Sequence, residues 1–294
     1  MKLSIVTPSF NQGFFIRKTI ESVLQQDYKN LEYIIMDGGS QDNTVQILRE
    51  YDNEIYWESK EDKGQADAVN QGILRVTGEI IGWLNSDDIY YPGTFSIVME
   101  AFEKNPEVKV IYGNAYHIDV DDNIIEEYYT EDFNFERLKD ICYICQPSLF
   151  FRRSIIDQYG YLDERLHYCM DYEYWLRLAE YEKFMRLNQF IAGSRLYPDN
   201  KTLGAQVKVH EEIVEMLKRN FGKVSSRWIY GLARAKVNTS GINRTLNGKG
   251  TNNLHFMQML FQTLHLSIKY NKSLPYKDAK QVITWRFQTR KYRN

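Results

Sequence analysis

Two adjacent carboxylates, Asp87 and Asp88, close a stretch that reads IIGWLNSDD from Ile80 to Asp88. An apolar run of this length bounded by polar residues reads as a buried strand of a parallel sheet. In open α/β sheets ligands sit outside the carboxyl ends of the strands, so both acids are delivered to the expected ligand crevice. Paired acids there suit a hard divalent cation that shares its oxygen ligands with a substrate diphosphate. A plainer reading stands beside this one: Asn85–Asp88 is a strand-to-helix turn whose acids cap the helix after Pro92. A third carboxylate, Asp171, opens the segment Asp171–Tyr181, whose apolar residues Tyr174, Trp175, Leu178 and Tyr181 follow helical spacing. It is expected near the positive end of the helix dipole, partly exposed. Cys142-Tyr-Ile-Cys145 matches a CxxC, but no second pair at zinc spacing accompanies it. A buried apolar turn is the expectation there.

The elements that must position these groups alternate. Leu3–Thr7 reads as a strand, followed by the polar turn Pro8–Gly13. Phe14–Gln26 carries Phe15, Ile16, Ile20, Val23 and Leu24 on one helical face. A second strand, Leu31–Met36, ends in Asp37-Gly-Gly-Ser40, and Ser40 or Asp42 can cap the helix that runs to Tyr51. A short strand at Ile55–Glu58, a helix over Gln65–Val76 and the strand Ile80–Leu84 follow. This alternation predicts βαβ units around a mostly parallel sheet. No GxGxxG and no P-loop is present, which counts against a nicotinamide or flavin enzyme. Past Pro92, Phe95–Phe102 reads as helix, and Val108–Ile118, Asn123–Tyr129, Gln146–Phe151 and Phe184–Tyr197 as strands. From Ala205 onward the sequence reads as helices, interrupted by the Asn/Gly-rich stretch 238–253.

The 294 residues, 43% apolar and 26% charged, are ordinary for a globular protein with ample core. Met1-Lys2 leads straight into a strand, predicting no signal peptide. Phe256–Ile268 is too short and too interrupted by Gln258, Gln262 and His265 to span a membrane. Three cysteines give no disulfide framework, so a cytoplasmic setting is expected. The net charge of −2 hides an asymmetry: residues 216–294 hold sixteen Lys and Arg against one acid, Asp278. Such a tail suits an anionic membrane surface, with Phe256–Ile268 lying in the interface and the protein peripheral on the inner face. Trp228, Tyr230 and Trp285 can stack on bases, but no recognised nucleic-acid module appears and nucleic acid is not an expected partner.

The opening VTPSFNQGFFIRKTIESVLQQDYKNLEYIIMDGGSQDNT resembles the signature start of glycosyltransferase family 2, inverting sugar-nucleotide transferases of the GT-A fold. The likeness continues through KEDKGQADAVNQGI, WLNSDD, QPSLFFRRS and MDYEYWLRLA, and covers about residues 1–202. It implies a GT-A type, Rossmann-like α/β domain over 1–204, with residues 205–294 a basic, mainly helical appendage.

By the resemblance, Thr7, Pro8, Ser9 and Asn11 line the nucleotide, where backbone groups and short hydroxyls can border a base and ribose. Asp37, followed by two glycines that let a ligand approach, accepts from a base N–H or ribose hydroxyl. Lys63, Gly64 and Asp67, with Gln65 and Asn70 secondary, border nucleotide and sugar. Asn85, Ser86, Asp87 and Asp88 match the DXD-type metal motif, with Asn85 in place of the commoner Asp; an amide there supplies no charge. Asp87, with Asp88 beside it, is the expected ligand of Mg²⁺ or Mn²⁺. Asp171 matches the catalytic base, which takes the acceptor hydroxyl's proton opposite the departing diphosphate, although Met170 replaces the usual Glu. Arg195 and Lys201 are expected diphosphate contacts, and Tyr197 stands where the family often has His, a poor metal ligand at neutral pH.

The reaction so implied is transfer from a nucleoside diphosphate sugar, of the UDP kind, to a glycan or lipid-linked hydroxyl acceptor in cell-envelope synthesis. Two other readings stay open. A sugar-phosphate nucleotidyltransferase would need a Gly-rich basic loop near the N-terminus, and Pro8–Gly13 holds no basic residue. A non-catalytic nucleotide-sugar or glycan-binding protein would use Asp171 only as a cap.

Overall fold

Every side chain of the first strand is buried, so the sheet is covered on both faces from its start. The computed structural model describes residues 1–198, 200, 204–239, 245–246, 249–251, 253–272, 280 and 283–284. In chain order the first 198 residues give β1 (Leu3–Ser9), α1 (Ile16–Leu24), β2 (Leu31–Asp37), α2 (Thr44–Arg49), β3 (Tyr56–Ser59) and α3 (Gln65–Ile73). Then come β4 (Ile80–Trp83), β5 (Ile89–Tyr90), α4 (Thr94–Lys104), β6 (Val110–Ile118), β7 (Ile124–Glu127), α5 (Phe135–Asp140) and β8 (Leu149–Arg152). The series ends with α6 (Ser154–Tyr159), α7 (Met170–Ala179) and β9 (Phe184–Arg195).

The strand order is β3-β2-β1-β4-β8-β6-β9-β5, with β7 paired to β6. The first four strands are mutually parallel. β8 runs against both β4 and β6, which restores the original direction in β6 and in its parallel neighbour β9. The carboxyl ends of β1, β2, β4, β6 and β9 therefore open on one edge of the sheet, the edge at which α/β folds bind ligands. The sheet is mixed beyond β4, because β8 enters reversed and β5 and β7 return as short antiparallel partners.

On one face, Leu3, Ile5, Tyr33, Ile35 and Ile80 pack in a single cluster with Ile16, Ile20 and Val23 of α1 and Phe95, Val98 and Phe102 of α4. On the other, α3 lies so close to β1 that a Cβ at Gly72 would come 2.3 Å from Val6 Cγ1. There Trp175 of α7 faces Trp83 of β4 with ring centroids 6.5 Å apart. The elements without a sequence expectation are short: β5 has two residues, α5 and α6 six each, too few to show a period. Gln146–Ser148, read as the start of a strand, is a 3₁₀ turn because Pro147 cannot donate to a ladder.

The chain divides into two compact units, residues 1–138 with 142–198, and residues 139–141 with 199–294. Within the second, the described residues form helices Gln206–Phe221, Ser226–Asn238 and Asn253–Asn271 and a small hairpin, Thr245–Leu246 against Lys249–Thr251. No helix among the described residues is long and apolar enough to cross a membrane.

Candidate active site

β4 ends at Trp83, and the polar turn after it is held from three sides. Thr19 of α1 shares its hydroxyl between the carbonyls of Ser86 and Asp88, 2.9 Å from each. The side-chain carbonyl of Asn85 accepts from Gln65 Nε2 (2.8 Å) and from the Trp83 indole (3.0 Å). Ser86 is buried. The two acids of this turn have different surroundings. Asp88 is buried; its Oδ1 accepts the Arg195 N–H at 2.8 Å, and its Oδ2 accepts Asn85 Nδ2 at 3.4 Å. Burial, and then the neighbouring charge of Asp87, hold its carboxyl well above the usual carboxylate range. Asp87 is half-buried, and its Oδ2 accepts the Tyr197 hydroxyl at 2.8 Å. Burial and the Asp87 charge keep that phenol above its ordinary range, so it stays a donor.

Among the described residues no three His, Cys, Asp or Glu side chains gather into a metal cage. A cation shared with a diphosphate needs only one or two protein carboxylates. The half-buried Asp87, an oxygen acceptor at a strand's carboxyl end, fits that role. Asp88 fits less well, because its carboxyl is withdrawn onto a backbone amide.

Arg195 was expected at the diphosphate, and its placement differs. Its side chain has no exposed surface. Nε donates to the Asp87 carbonyl (2.7 Å), one terminal nitrogen to the Asp119 carbonyl (2.6 Å), and the other pairs with Asp122 at 2.5 Å. The guanidinium also sits 4.8 Å from the centre of the Phe15 ring, against which Tyr197 packs at 5.0 Å. A buried guanidinium with these partners braces the acidic turn and is not available to a ligand. Arg195→Met should therefore act on stability, lowering the free energy of urea unfolding by about 3 kcal/mol, since it strands the partners of a buried charge. Lys should rescue only partly, having no planar fork to serve three acceptors at once.

At the ends of β1 and β2, Thr7 is buried with its hydroxyl 3.1 Å from Tyr33 OH, and Pro8 and Ser9 are buried as well. The Ser9 hydroxyl finds no hydrogen-bond partner among the described residues. Asn11 is exposed at φ 53°; its N–H donates to Ser40 Oγ, and its Oδ1 accepts the Gln41 N–H. Asp37 is buried and closes the β2 turn, Oδ2 accepting Ser40 N–H (2.9 Å) and Ser59 Oγ (2.6 Å), Oδ1 accepting Ser40 Oγ (2.5 Å). Ser40 is thus occupied by Asp37, and Asp42 receives the Thr44 N–H at the start of α2.

Gly64 precedes α3 at φ 118°, a conformation costly for any side chain, and donates to Asp62 Oδ1. Asp67 accepts the Lys63 N–H at 3.0 Å, while the Lys63 ammonium is exposed and lies 3.8 Å from Glu164. Asn70 is structural: its amide exchanges hydrogen bonds with both backbone groups of Leu162, each 3.0 Å. Lys201 lies outside the described residues.

Asp171 is the second residue of α7, and Cys169 occupies the N-cap without a side-chain bond. Asp171 Oδ1 accepts the Tyr172 N–H at 2.7 Å, and the residue is half-buried. Its charge reaches the CxxC segment. Burial, and then Asp171, push the Cys142 thiol up to about 12, and burial, Asp88 and more weakly Asp171 raise Cys145. Both are free thiols, and with such shifts they stay protonated and inert. Two supporting residues carried no role in the sequence reading: Gln146, whose Nε2 donates to the Trp83 carbonyl at 2.6 Å, and Thr19. The QPS run marked the first; nothing in α1 marks Thr19 apart from its apolar neighbours.

The family model described as Glycosyl transferase family 2 matches residues 4–160, a span that contains the ends of β1 and β2, α3 and the whole β4 turn. An uncharacterized glycosyltransferase of Rickettsia typhi is 30% identical over 71% of this chain, and the match spans 64% of that relative's length. The structure of Staphylococcus aureus TarS 1–349 in complex with UDP-GlcNAc is similar in fold, with a TM-score of 0.59 at 16% identity, covering 92% of this chain and 82% of that one. A mannosyltransferase from Pyrobaculum calidifontis, in complex with GDP-Man and Mn²⁺, gives 0.59 at 14% identity over 96% of this chain and 85% of its own.

Proposed function

The chain belongs to glycosyl transferase family 2, and from that premise we propose that it moves a sugar from a nucleoside diphosphate sugar to a hydroxyl acceptor with inversion. The observation that carries the reading is a pair of half-buried carboxylates, Asp87 after β4 and Asp171 at the start of α7, on two elements that pack together through Trp83 and Trp175. The UDP-GlcNAc of one fold neighbour supports a UDP-linked donor.

Asp171 acts as general base, taking the acceptor hydroxyl's proton as its oxygen bonds to the anomeric carbon and the bond to the diphosphate breaks. The electron pair of that bond leaves with the diphosphate. Asp87 is the protein ligand of a divalent cation, Mg²⁺ or Mn²⁺, with Asp88 and Arg195 holding its backbone in place. The cation, when bound, neutralises charge on the departing diphosphate. Asp37, Ser9 and Asn11 border base and ribose, Thr7 and Pro8 contributing backbone; Lys63, Gly64, Asp67, Asn85 and Ser86 border the sugar side. The acceptor is a glycan or lipid-linked hydroxyl of the cell envelope, which the basic C-terminal region meets at an anionic membrane surface.

The test is a panel of UDP- and GDP-sugars with Mg²⁺ or Mn²⁺, following nucleoside diphosphate release and the anomeric proton of the product by NMR. An inverted product with one donor is the expected result. Pyrophosphate release from a nucleoside triphosphate and a sugar phosphate would overturn it in favour of nucleotidyl transfer. Binding without turnover of any donor would favour a non-catalytic protein.

A further inference from the structure

Helix Asn253–Asn271 carries apolar side chains on both its buried and its outer side. Its buried side includes the polar His255, Thr263 and Ser267 beside Met259, Leu266 and Tyr270. Its outer side exposes Leu254 (58%), Met257 (58%), Phe261 (67%) and Ile268 (53%). At 3.6 residues per turn these four fall within an arc of about 60°. His265 lies on the same side, its ring stacked on that of Phe261. A helix of a globular protein turns its apolar stripe inward, so a continuous apolar stripe outward marks a surface that another apolar phase covers.

The charge around the stripe selects that phase. The helix contains no acidic residue, Lys269 and Lys272 are exposed at its end, and residues 272–294 hold seven Lys and Arg against Asp278; the nearest acids to Lys269, Glu211 and Glu215, belong to helix Gln206–Phe221. A second copy docked on this stripe would bring like charges together, whereas an anionic lipid surface pairs them. We propose that the Leu254–Met257–Phe261–Ile268 stripe lies in the headgroup region of an anionic bilayer, with Lys269 and Lys272 on lipid phosphates. This deepens the membrane part of the proposed function and rests on it, but not on the identity of the donor.

The experiment is cosedimentation of the full chain with vesicles of phosphatidylcholine containing phosphatidylglycerol, and with phosphatidylcholine alone. Wild type should pellet with the anionic vesicles only, and less so as salt rises. Met257→Ser with Phe261→Ser should weaken that partitioning about tenfold or more. Lys269→Gln and Lys272→Gln should each weaken it about fivefold. The serine variant alters exposed positions, so an unchanged urea midpoint shows that it folds. Equal partitioning of wild type and the serine variant, or binding of wild type to neutral and anionic vesicles alike, would overturn the proposal. So would light scattering that finds a dimer dissolved by the serine substitutions without any vesicle binding. Nucleotide-sugar turnover by wild type measured without vesicles keeps the outcomes apart: its absence sinks the transferase reading, and its presence in a wild type that binds no anionic vesicles sinks only this one.

Discussion

Asp171→Asn is expected to lower kcat by about 10²–10⁴-fold, the range that a positioned general base contributes. Nucleotide affinity should stay within about twofold. The substitution is close to isosteric, and the hydrogen bond from the Tyr172 N–H to Oδ1 can be accepted equally by an amide oxygen. Cys169, not Asp171, holds the N-cap of α7, so helix formation does not depend on the acid. The mutant should therefore fold as wild type does and fail in the proton transfer, with kcat and kcat/KM falling together. Single-turnover product formation together with UDP binding by calorimetry reads both quantities. If kcat persists, Asp171 is only a charge at a helix start, worth a fraction of a kcal/mol to about 1 kcal/mol in stability. Asp171→Ala adds a check. It removes the acceptor of the Tyr172 N–H as well, so it should match the Asn variant in rate and differ from it only in stability.

What the sequence made legible follows the physics that each feature obeys. The alternation of strands and helices through residue 84 is a matter of periodicity, and the elements found there agree with expectation to within a few residues at their ends. Strand direction beyond Pro92 is a matter of long-range pairing, which no local pattern encodes, so the reversal of β8 and the mixed half of the sheet were not legible. The site divides in the same way. That Asp87 and Asp88 lie at a strand's carboxyl end could be read from an apolar run ending in acids. Which of them keeps accessible surface depends on Arg195, more than a hundred residues away, whose amide takes Asp88 and whose guanidinium takes the Asp87 carbonyl. The same distance hid the role of Arg195: a basic residue in a family-like segment reads as an anion contact until burial shows its charge to be spent. Tyr197 was visible as a poor metal ligand, but its bond to Asp87 appears only once β9 is folded beside the β4 turn.

Asp87→Ala is expected to reduce Mn²⁺-supported UDP affinity by about 100-fold or more. Loss of a group that merely supports a ligand typically costs 10–100-fold in metal affinity, and loss of the ligand itself costs at least the upper end of that range. Affinity without metal should change little, and metal-free calorimetry beside a Mn²⁺ titration separates the two effects. The neighbouring acid supplies the contrast. Asp88→Asn removes a carboxyl that is buried and raised well above the carboxylate range, and an amide oxygen can still accept the Arg195 N–H. It should leave Mn²⁺-supported affinity within about threefold, because the buried Asp88 carboxyl is turned onto the Arg195 N–H and the Asn85 amide and not toward a cation. Tyr197→Phe gives the third point: it leaves Asp87 charged but deletes the phenol donor on Oδ2, so affinity should shift by less than in Asp87→Ala while metal dependence remains. Equal loss in Asp87→Ala and Asp88→Asn would mean that Asp88 leaves the Arg195 amide when the donor binds. The adjacent acids would then act as a pair, and Arg195 would have to surrender its hold on one of them. The ordering Asp87→Ala far below Tyr197→Phe and Asp88→Asn is the signature of a single carboxylate that carries the charge while its neighbours hold it still.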